Sequence, residues 1–269
     1  MAEKLTPKDL QQMKAQGKKI AAAVVYDATM TEICELAGVD LLSIGDSVGR
    51  TYLGQEEPDD YTVEEMMVFA RAVGRTAKRA VVSVDMPTLT CKHGPKEVGE
   101  ASRRLKTEAH VDMTKVDIRT QEEELFDDVK AVLDAGLGAY PQIGFPTFGG
   151  STGIRSDPAS REHVLKWAKK LEEAGASIID LTNVTPEIYT EVVKSVRIPV
   201  IGGQTGPEAD GRIYVMGSVT GYRADGYDKP DAPATMAKLA YDIAKKGFAN
   251  IHAGQWKSGS ATDIAAGAH

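Results

Sequence analysis

Short apolar runs alternate with longer amphipathic stretches along most of the chain. Three clear apolar runs are KIAAAVVYD at 19–27, LLSIGD at 41–46 and AVVSVD at 80–85. Each is nearly continuous in apolar character until it ends on an aspartate. Such runs are typical of strands buried on both faces, as in a parallel sheet. The pattern therefore predicts a parallel sheet with polar side chains where its strands end.

The same reading continues through the rest of the chain. Further strands are predicted at VDMTKVD (111–117), AYPQIGF (139–145), SIIDLTN (177–183) and IPVIGG (198–203). Amphipathic stretches predict helices at 29–39, 61–78, 95–109, 121–136, 156–175, 185–197 and 232–247. Thr62 followed by Glu65 is typical of a capping box, and Gly38 is typical of a helix end.

Strand and helix alternate about seven or eight times with short connections. Right-handed crossovers between parallel strands give either an open doubly wound sheet or a closed barrel. The repeat count and the length favour the (β/α)8 TIM barrel. No GxGxxG follows a strand, which argues against a dinucleotide-binding fold. We expect a single barrel domain over 1–269, with an N-terminal helix and a C-terminal helical tail.

Composition narrows the classes of partner. The chain has 269 residues and a formal net charge of −7, without a basic stripe, so nucleic acid is not an expected partner. It contains no apolar run of about 18 residues, so no membrane span is expected. The charged N-terminal stretch lacks the apolar core of a signal peptide. Only Cys34 and Cys91 are present, and a reducing cytoplasm is the expected location.

Acidic residues end four of the predicted strands, at Asp27, Asp46, Asp85 and Asp117, with Lys115 two residues before the last. In a barrel, the carboxyl ends of the strands surround one mouth. Carboxylates brought together there repel one another, and a divalent cation such as Mg²⁺ or Mn²⁺ offsets that repulsion. Such an ion can bind a 2-oxo acid and stabilise its enolate, with a lysine pairing the substrate carboxylate.

A helix cap is the alternative role for each aspartate, since Asp is common just after a strand. The alternative is strongest for Asp27, because Ala28 and Thr29 begin a predicted helix. Three further acids that each end an apolar run favour a shared site.

At this point the sequence resembles a known family. The stretches VVYDATMTEICELAGVDLLSIGDSVG, VVSVDMP, and IPVIGG with ADGRIYVM resemble the ketopantoate hydroxymethyltransferases of the phosphoenolpyruvate mutase and isocitrate lyase superfamily. The resemblance spans roughly 10–225 and is most specific at Gly45-Asp46-Ser47. It implies a (β/α)8 barrel, Mg²⁺, a homo-oligomer, and hydroxymethyl transfer from methylenetetrahydrofolate to 2-oxoisovalerate.

Residue roles follow from the resemblance position by position. Asp46 and Asp85 are the implied metal ligands, and Asp117 stands where the family has a glutamate near the metal. The resemblance implies Ser47 and Lys115 as contacts to a 2-oxo acid, and Tyr26 and Asp180 are further expected contacts. The candidates for catalysis are Lys115, Asp117, Gln142 and Thr182, together with His93 from the loop after the third strand.

Two positions depart from the family. Thr182 falls where the family has its general-base glutamate, and a threonine hydroxyl is too weakly basic to replace a carboxylate. Asp180 lies two residues earlier on the same strand face, so it is a deeper and poorer substitute. Gln142 replaces a histidine, which keeps a donor and an acceptor but loses the titrating proton. The residues expected to bind the metal and the oxo acid match the family, whereas the residues expected to transfer protons differ from it.

Three functions remain open on these residues. The first is a hydroxymethyltransferase-like enzyme that forms a C–C bond at a 2-oxo acid, either the substrate of its family or a different one. The second is a retro-aldol C–C lyase in which the loop at 90–96, with Cys91 and His93, closes over the metal and supplies an acid; a solvated polar loop is the alternative. The third is a non-catalytic barrel that binds an oxo acid or a metal.

Overall fold

Eight parallel strands close into a barrel in chain order, with β8 pairing back to β1. The structure is a computed structural model that describes residues 3–55, 61–119, 121–146, 153–203, 205–222 and 226–253. The strands are β1 (Ile20–Val24), β2 (Leu41–Ile44), β3 (Val81–Asp85), β4 (Met113–Asp117), β5 (Gly138–Gly144), β6 (Ile179–Thr182), β7 (Val200–Gly202) and β8 (Gly211–Val215). The (β/α)8 prediction is confirmed.

Helices precede the barrel and lie between most of its strands. They are α1 (Pro7–Ala15), α2 (Ala28–Ala37), α3 (Val48–Tyr52), α4 (Val63–Thr76), α5 (Thr88–Cys91), α6 (Pro95–Ala109), α7 (Glu122–Asp134), α8 (Pro158–Glu173), α9 (Pro186–Ser195), α10 (Met216–Val219) and α11 (Met236–His252). Of the helices described, none has both the length and the apolar character that a bilayer crossing needs.

Burial explains why β2 and β3 are largely apolar. Every residue of β2 and β3 is buried, because side chains alternate between the barrel interior and the surrounding helices. The predicted helix signals also appear. Thr62 and Glu65 form the capping box of α4, and Gly38 ends α2 at a φ of 90°. The Asp27 carboxylate accepts the Met30 N–H at 2.8 Å, so Asp27 caps α2.

Two partly buried ion pairs brace the amino ends of the strands. Lys14 of α1 lies 2.8 Å from Asp210, directly before β8. Asp210 also accepts the Val200 N–H at 2.8 Å, which links α1 to β7 and β8. On the other side, Arg79 lies 2.7 Å from Asp40, before β2. These pairs stabilise the end of the barrel opposite to the mouth.

Contacts divide the chain into two compact units, Met1–Met216 and Gly217–His269. The first contains the barrel. The second contains α11, which is capped by the Thr235 side chain accepting the Lys238 N–H at 3.2 Å. The exposed side chains of α11 include Leu239, Ile243 and Phe248.

Candidate active site

An ion-paired lysine lies at the centre of the barrel mouth. Asp85 on β3 and Lys115 on β4 are direct partners in the strand register, and their carboxylate and ammonium groups are 2.8 Å apart. Asp180 on β6 approaches the same ammonium at 3.6 Å. Parallel pairing of the strands thus brings together three residues that are far apart in sequence.

Burial controls the protonation of this cluster. It raises the pKa of Asp85 to about 6; the nearby Asp46 charge adds to the rise, and Lys115 opposes it. Burial also raises the pKa of Asp180, although Lys115 and Arg119 act in the opposite direction. Burial disfavours the Lys115 ammonium, but the carboxylates of Asp85 and Asp180 outweigh it, so the lysine pKa is raised and its charge is kept.

Asp46 lies beside Asp85, as the sequence suggests. The Asp46 N–H donates to Asp85 Oδ2 at 3.2 Å, and the Asp46 residue is exposed at the mouth. Asp85 Oδ1 is buried and finds no hydrogen-bond partner among the described residues. In the part of the chain that the structure describes, no three His, Cys, Asp or Glu side chains form a ready metal cluster. Two adjacent carboxylates nevertheless suit Mg²⁺, which commonly takes one or two carboxylates and completes its shell with water and substrate.

Asp117, at the end of β4, is held by Arg119. The Arg119 Nε donates to Asp117 Oδ1 at 2.8 Å, and its terminal nitrogen lies 2.5 Å from Oδ2. The other terminal nitrogen donates to Thr182 Oγ1 at 3.3 Å. Asp117 is therefore engaged by a guanidinium, whereas the Asp85 carboxylate is paired with Lys115 and accepts the backbone N–H of Asp46.

A cavity of about 270 Å³ opens above the buried charges. Its lining includes Ser47, Gln142 and Thr182, besides the charged residues Asp46, Asp85, Lys115, Arg119 and Asp180. Three buried polar atoms of its lining residues, Asp180 Oδ1 and the hydroxyls of Tyr140 and Tyr189, have no hydrogen-bond partner among the described residues. Buried polar atoms are normally satisfied, so this cavity has the character of a site for a polar ligand.

A larger cavity of about 530 Å³ adjoins the first and shares Asp46, Asp85, Lys115 and Arg119 with it. Asp117 also lines it, together with Met86, Cys91, Lys92, Gln121 and Leu125. The two cavities give the mouth room for more than one small molecule around the same charged residues.

Tyr26 lies just beyond β1 and is buried, and its hydroxyl is hydrogen-bonded to Ser47. Burial raises the pKa of Tyr26, so the phenol stays protonated. Its ring packs against Tyr52 at a tilt and against Phe69 edge to face. Ser47 lines the smaller cavity directly, whereas Tyr26 contacts it through Ser47.

His93 and Cys91 separate in the structure. His93 is exposed and lines a different cavity, with Thr62 and Arg104. Cys91 lines the larger mouth cavity. Burial, reinforced by the neighbouring Asp128, raises the Cys91 pKa to about 12, so the thiol is protonated near neutral pH. Of the residues expected in the loop after β3, the structure brings Cys91 to the mouth and not His93.

Sequence reasoning missed three residues of the site, namely Arg119, Tyr140 and Tyr189. For Arg119 a signal existed. Lys115, Asp117 and Arg119 are spaced two residues apart, and positions i, i+2 and i+4 share a face of an extended chain. Tyr140 was hidden within an apolar strand run, and Tyr189 within an amphipathic helix.

The barrel fold is shared with solved proteins of known structure. The structure superposes on 2,3-dimethylmalate lyase with a TM-score of 0.65 at 14% identity, covering 90% of this chain and 89% of that one. It superposes on phosphonopyruvate hydrolase, solved with oxalate and Mg²⁺, with a TM-score of 0.62 at 14% identity, covering 93% and 98%. At this identity the likeness establishes the fold.

Sequence similarity identifies the family. Residues 4–249 match the ketopantoate hydroxymethyltransferase family. A 3-methyl-2-oxobutanoate hydroxymethyltransferase of Trichodesmium erythraeum is 33% identical over 222 residues, covering 81% of this chain and 84% of the relative. One from Corynebacterium glutamicum is 30% identical over 261 residues, covering 94% and 95%. The chain belongs to the ketopantoate hydroxymethyltransferase family, as the sequence motifs indicate.

Proposed function

We propose that the protein adds a one-carbon hydroxymethyl group to C3 of a 2-oxo acid through an enolate. The observation that carries this proposal is the Lys115 ammonium, held between the buried carboxylates of Asp85 and Asp180 beside Asp46 in the mouth of a family barrel. A carboxylate substrate finds there a fixed positive charge inside a largely acidic site. Electrostatic preorganisation of this kind is a large contribution to enzymatic rate enhancement.

The chain's own residues suggest how substrate and metal are held. Lys115 and Ser47 bind the substrate carboxylate, and Asp46 and Asp85 hold Mg²⁺ or Mn²⁺, with the orphaned Asp85 Oδ1 as a free ligand atom. When bound, the cation supplies charge stabilisation for the developing enolate oxygen. Asp117 contributes to metal binding through water, because Arg119 already holds its carboxylate.

Proton transfer needs a group other than Thr182, whose hydroxyl is a poor base. Asp180 has an unpartnered Oδ1 in the smaller cavity, so it is the carboxylate we assign to accept the C3 proton. Gln142 is its direct partner in the β5–β6 register and orients the substrate by hydrogen bonding. The larger cavity is assigned to the one-carbon donor, methylenetetrahydrofolate, since it shares Asp46 and Asp85 with the smaller one.

Deuterium exchange at C3 tests the proposal. With 2-oxoisovalerate in D2O, NMR should show enzyme-dependent loss of the C3 proton that requires Mg²⁺ or Mn²⁺. Adding methylenetetrahydrofolate should then yield the hydroxymethylated product. Release of an aldehyde or glyoxylate from hydroxy-acid substrates without folate would instead support the lyase. Ligand binding with neither exchange nor turnover would support a non-catalytic barrel.

We further propose that the protein works as a homo-oligomer in the cytoplasm. Helix α11 exposes large apolar side chains, with Leu239, Ile243, Phe248 and Ile251 between 54% and 64% exposed. Exposed apolar groups of this density are typical of surfaces that associate. Multi-angle light scattering should give a native mass of two or more chains, and the mass of a single chain would contradict the proposal. The free thiols of Cys34 and Cys91 suit a reducing compartment.

A further inference from the structure

We infer that Arg119 recognises a second anionic group on the substrate, at the end distant from the 2-oxo acid carboxylate. The substrate class is then a 2-oxo acid with a distal carboxylate rather than one with an aliphatic chain. This inference rests on the proposed function, which assigns Lys115 to the first carboxylate.

The position of Arg119 carries the inference. It lines both mouth cavities, with its side chain only 18% exposed. A guanidinium has five N–H donors. In the described residues, Asp117 takes one from Nε and one from a terminal nitrogen, and Thr182 takes one from the other. Two donors are left for a ligand in the mouth.

The ion pair with Asp117 does not by itself account for this placement. The Asp117 side chain is 41% exposed, so water can solvate that carboxylate without a buried cation. The guanidinium is the more buried partner. The arrangement therefore places a positive charge in the mouth, with Asp117 fixing its orientation.

The neighbouring position reinforces the argument. Thr182 stands where the family resemblance places a glutamate, and its hydroxyl lies 3.3 Å from Arg119. Asp117 is already one carboxylate paired with the guanidinium; a neutral hydroxyl at 182 adds no second negative charge, whereas a carboxylate there would compete for the remaining N–H donors. An aliphatic substrate chain packed against this group would remove its N–H donors from water without replacing the hydrogen bonds. A distal carboxylate on the substrate would instead accept charge-assisted hydrogen bonds from the free N–H groups of the guanidinium.

The test compares two substrates that differ in the distal group alone. The probes are 2-oxoglutarate and 5-methyl-2-oxohexanoate, in which an isopropyl group replaces the distal carboxylate at similar size. Binding to the full-length protein with Mg²⁺ is measured by calorimetry, and C3 exchange by NMR. We expect wild type to bind 2-oxoglutarate at least about tenfold more tightly, because charged hydrogen bonds carry that much discrimination.

Two variants and a control make the result specific. Arg119→Gln should bring the two affinities together, and Arg119→Lys should restore part of the preference, because it keeps the charge without the fork. Arg161→Gln is the control, since Arg161 pairs with Glu191 on α8 and α9, and it should keep the wild-type preference.

Several outcomes would overturn the inference. Equal affinities in wild type, or an equal loss for both probes in Arg119→Gln, would show that Arg119 only supports Asp117. If 5-methyl-2-oxohexanoate or 2-oxoisovalerate binds and exchanges without an Arg119-dependent preference, the proposed function stands and this inference alone fails. If no 2-oxo acid binds or exchanges, both fail.

Discussion

Replacing Lys115 with methionine is expected to lower the free energy of unfolding by about 3 to 5 kcal/mol and to abolish C3 exchange. The ammonium lies between the carboxylates of Asp85 and Asp180, both buried. Methionine fills the space but leaves the two buried carboxylates without the ammonium between them. The pKa of each carboxylate then rises further, because the Lys115 charge no longer opposes the effect of burial.

Chemical denaturation at pH 7 measures the stability loss, and NMR measures the exchange. The matched control is Lys14→Met, because the Lys14–Asp210 pair has the same 2.8 Å separation and similar burial at the opposite end of the barrel. Lys14→Met should lower the free energy of unfolding by a similar amount, while the rate of C3 exchange per folded molecule stays that of wild type. Loss of exchange in both variants to the same degree would show that the Lys115 effect is only structural.

Asp46→Asn and Asp85→Asn are each expected to remove stabilisation by Mg²⁺. A ligand at about one hundred times its Kd stabilises the native state by about 2.7 kcal/mol, and wild type should show a melting temperature that rises with Mg²⁺ concentration. Each variant loses one of the two carboxylates that we assign to the ion, so its melting temperature should stay constant. Asp40→Asn is the control, because Asp40 pairs with Arg79 before β2.

The same titration has a pH dependence with a defined sign. Because the Asp85 pKa is raised to about 6, the native protein without metal binds this proton more tightly than the unfolded chain. The contribution of the Asp85 carboxyl group to the free energy of unfolding is full below about pH 4 and is lost as pH rises through about 6. A cation needs the ionised carboxylate, so Mg²⁺ should bind more tightly as pH rises from 5 to 7. A metal-induced shift that persists in both variants, or that weakens over this range, would contradict the assignment.

The sequence predicted most of the barrel because parallel strands buried on both faces leave unmistakable apolar runs. The run at 80–85 contains β3, and the stretch at 95–109 coincides with α6. The strand β8 was not singled out, since its exposed Arg212 and Tyr214 interrupt the apolar pattern. The helix α3 was missed because five residues are too few to show a helical period.

The sequence predicted which side chains lie together at the mouth where strand ends decide their position. Asp46, Asp85, Lys115 and Asp180 meet because the barrel register aligns their strands. The sequence was less informative where a contact depends on the length and direction of a side chain. His93 follows β3 in sequence, but the turn of α5 directs it into a separate cavity. The Arg119–Asp117–Thr182 contact joins residues from two strand ends, and a hydrophobic pattern carries no information about such a pairing.

The bracing of the barrel by Lys14–Asp210 and Arg79–Asp40 has a consequence for how such a protein changes over time. These two ion pairs lie at the end of the barrel opposite to the residues that line the mouth. An exchange at the open end such as a base for a hydroxyl therefore leaves these ion pairs intact. Evolution can change such a residue without disturbing the ion pairs that brace the far end of the barrel.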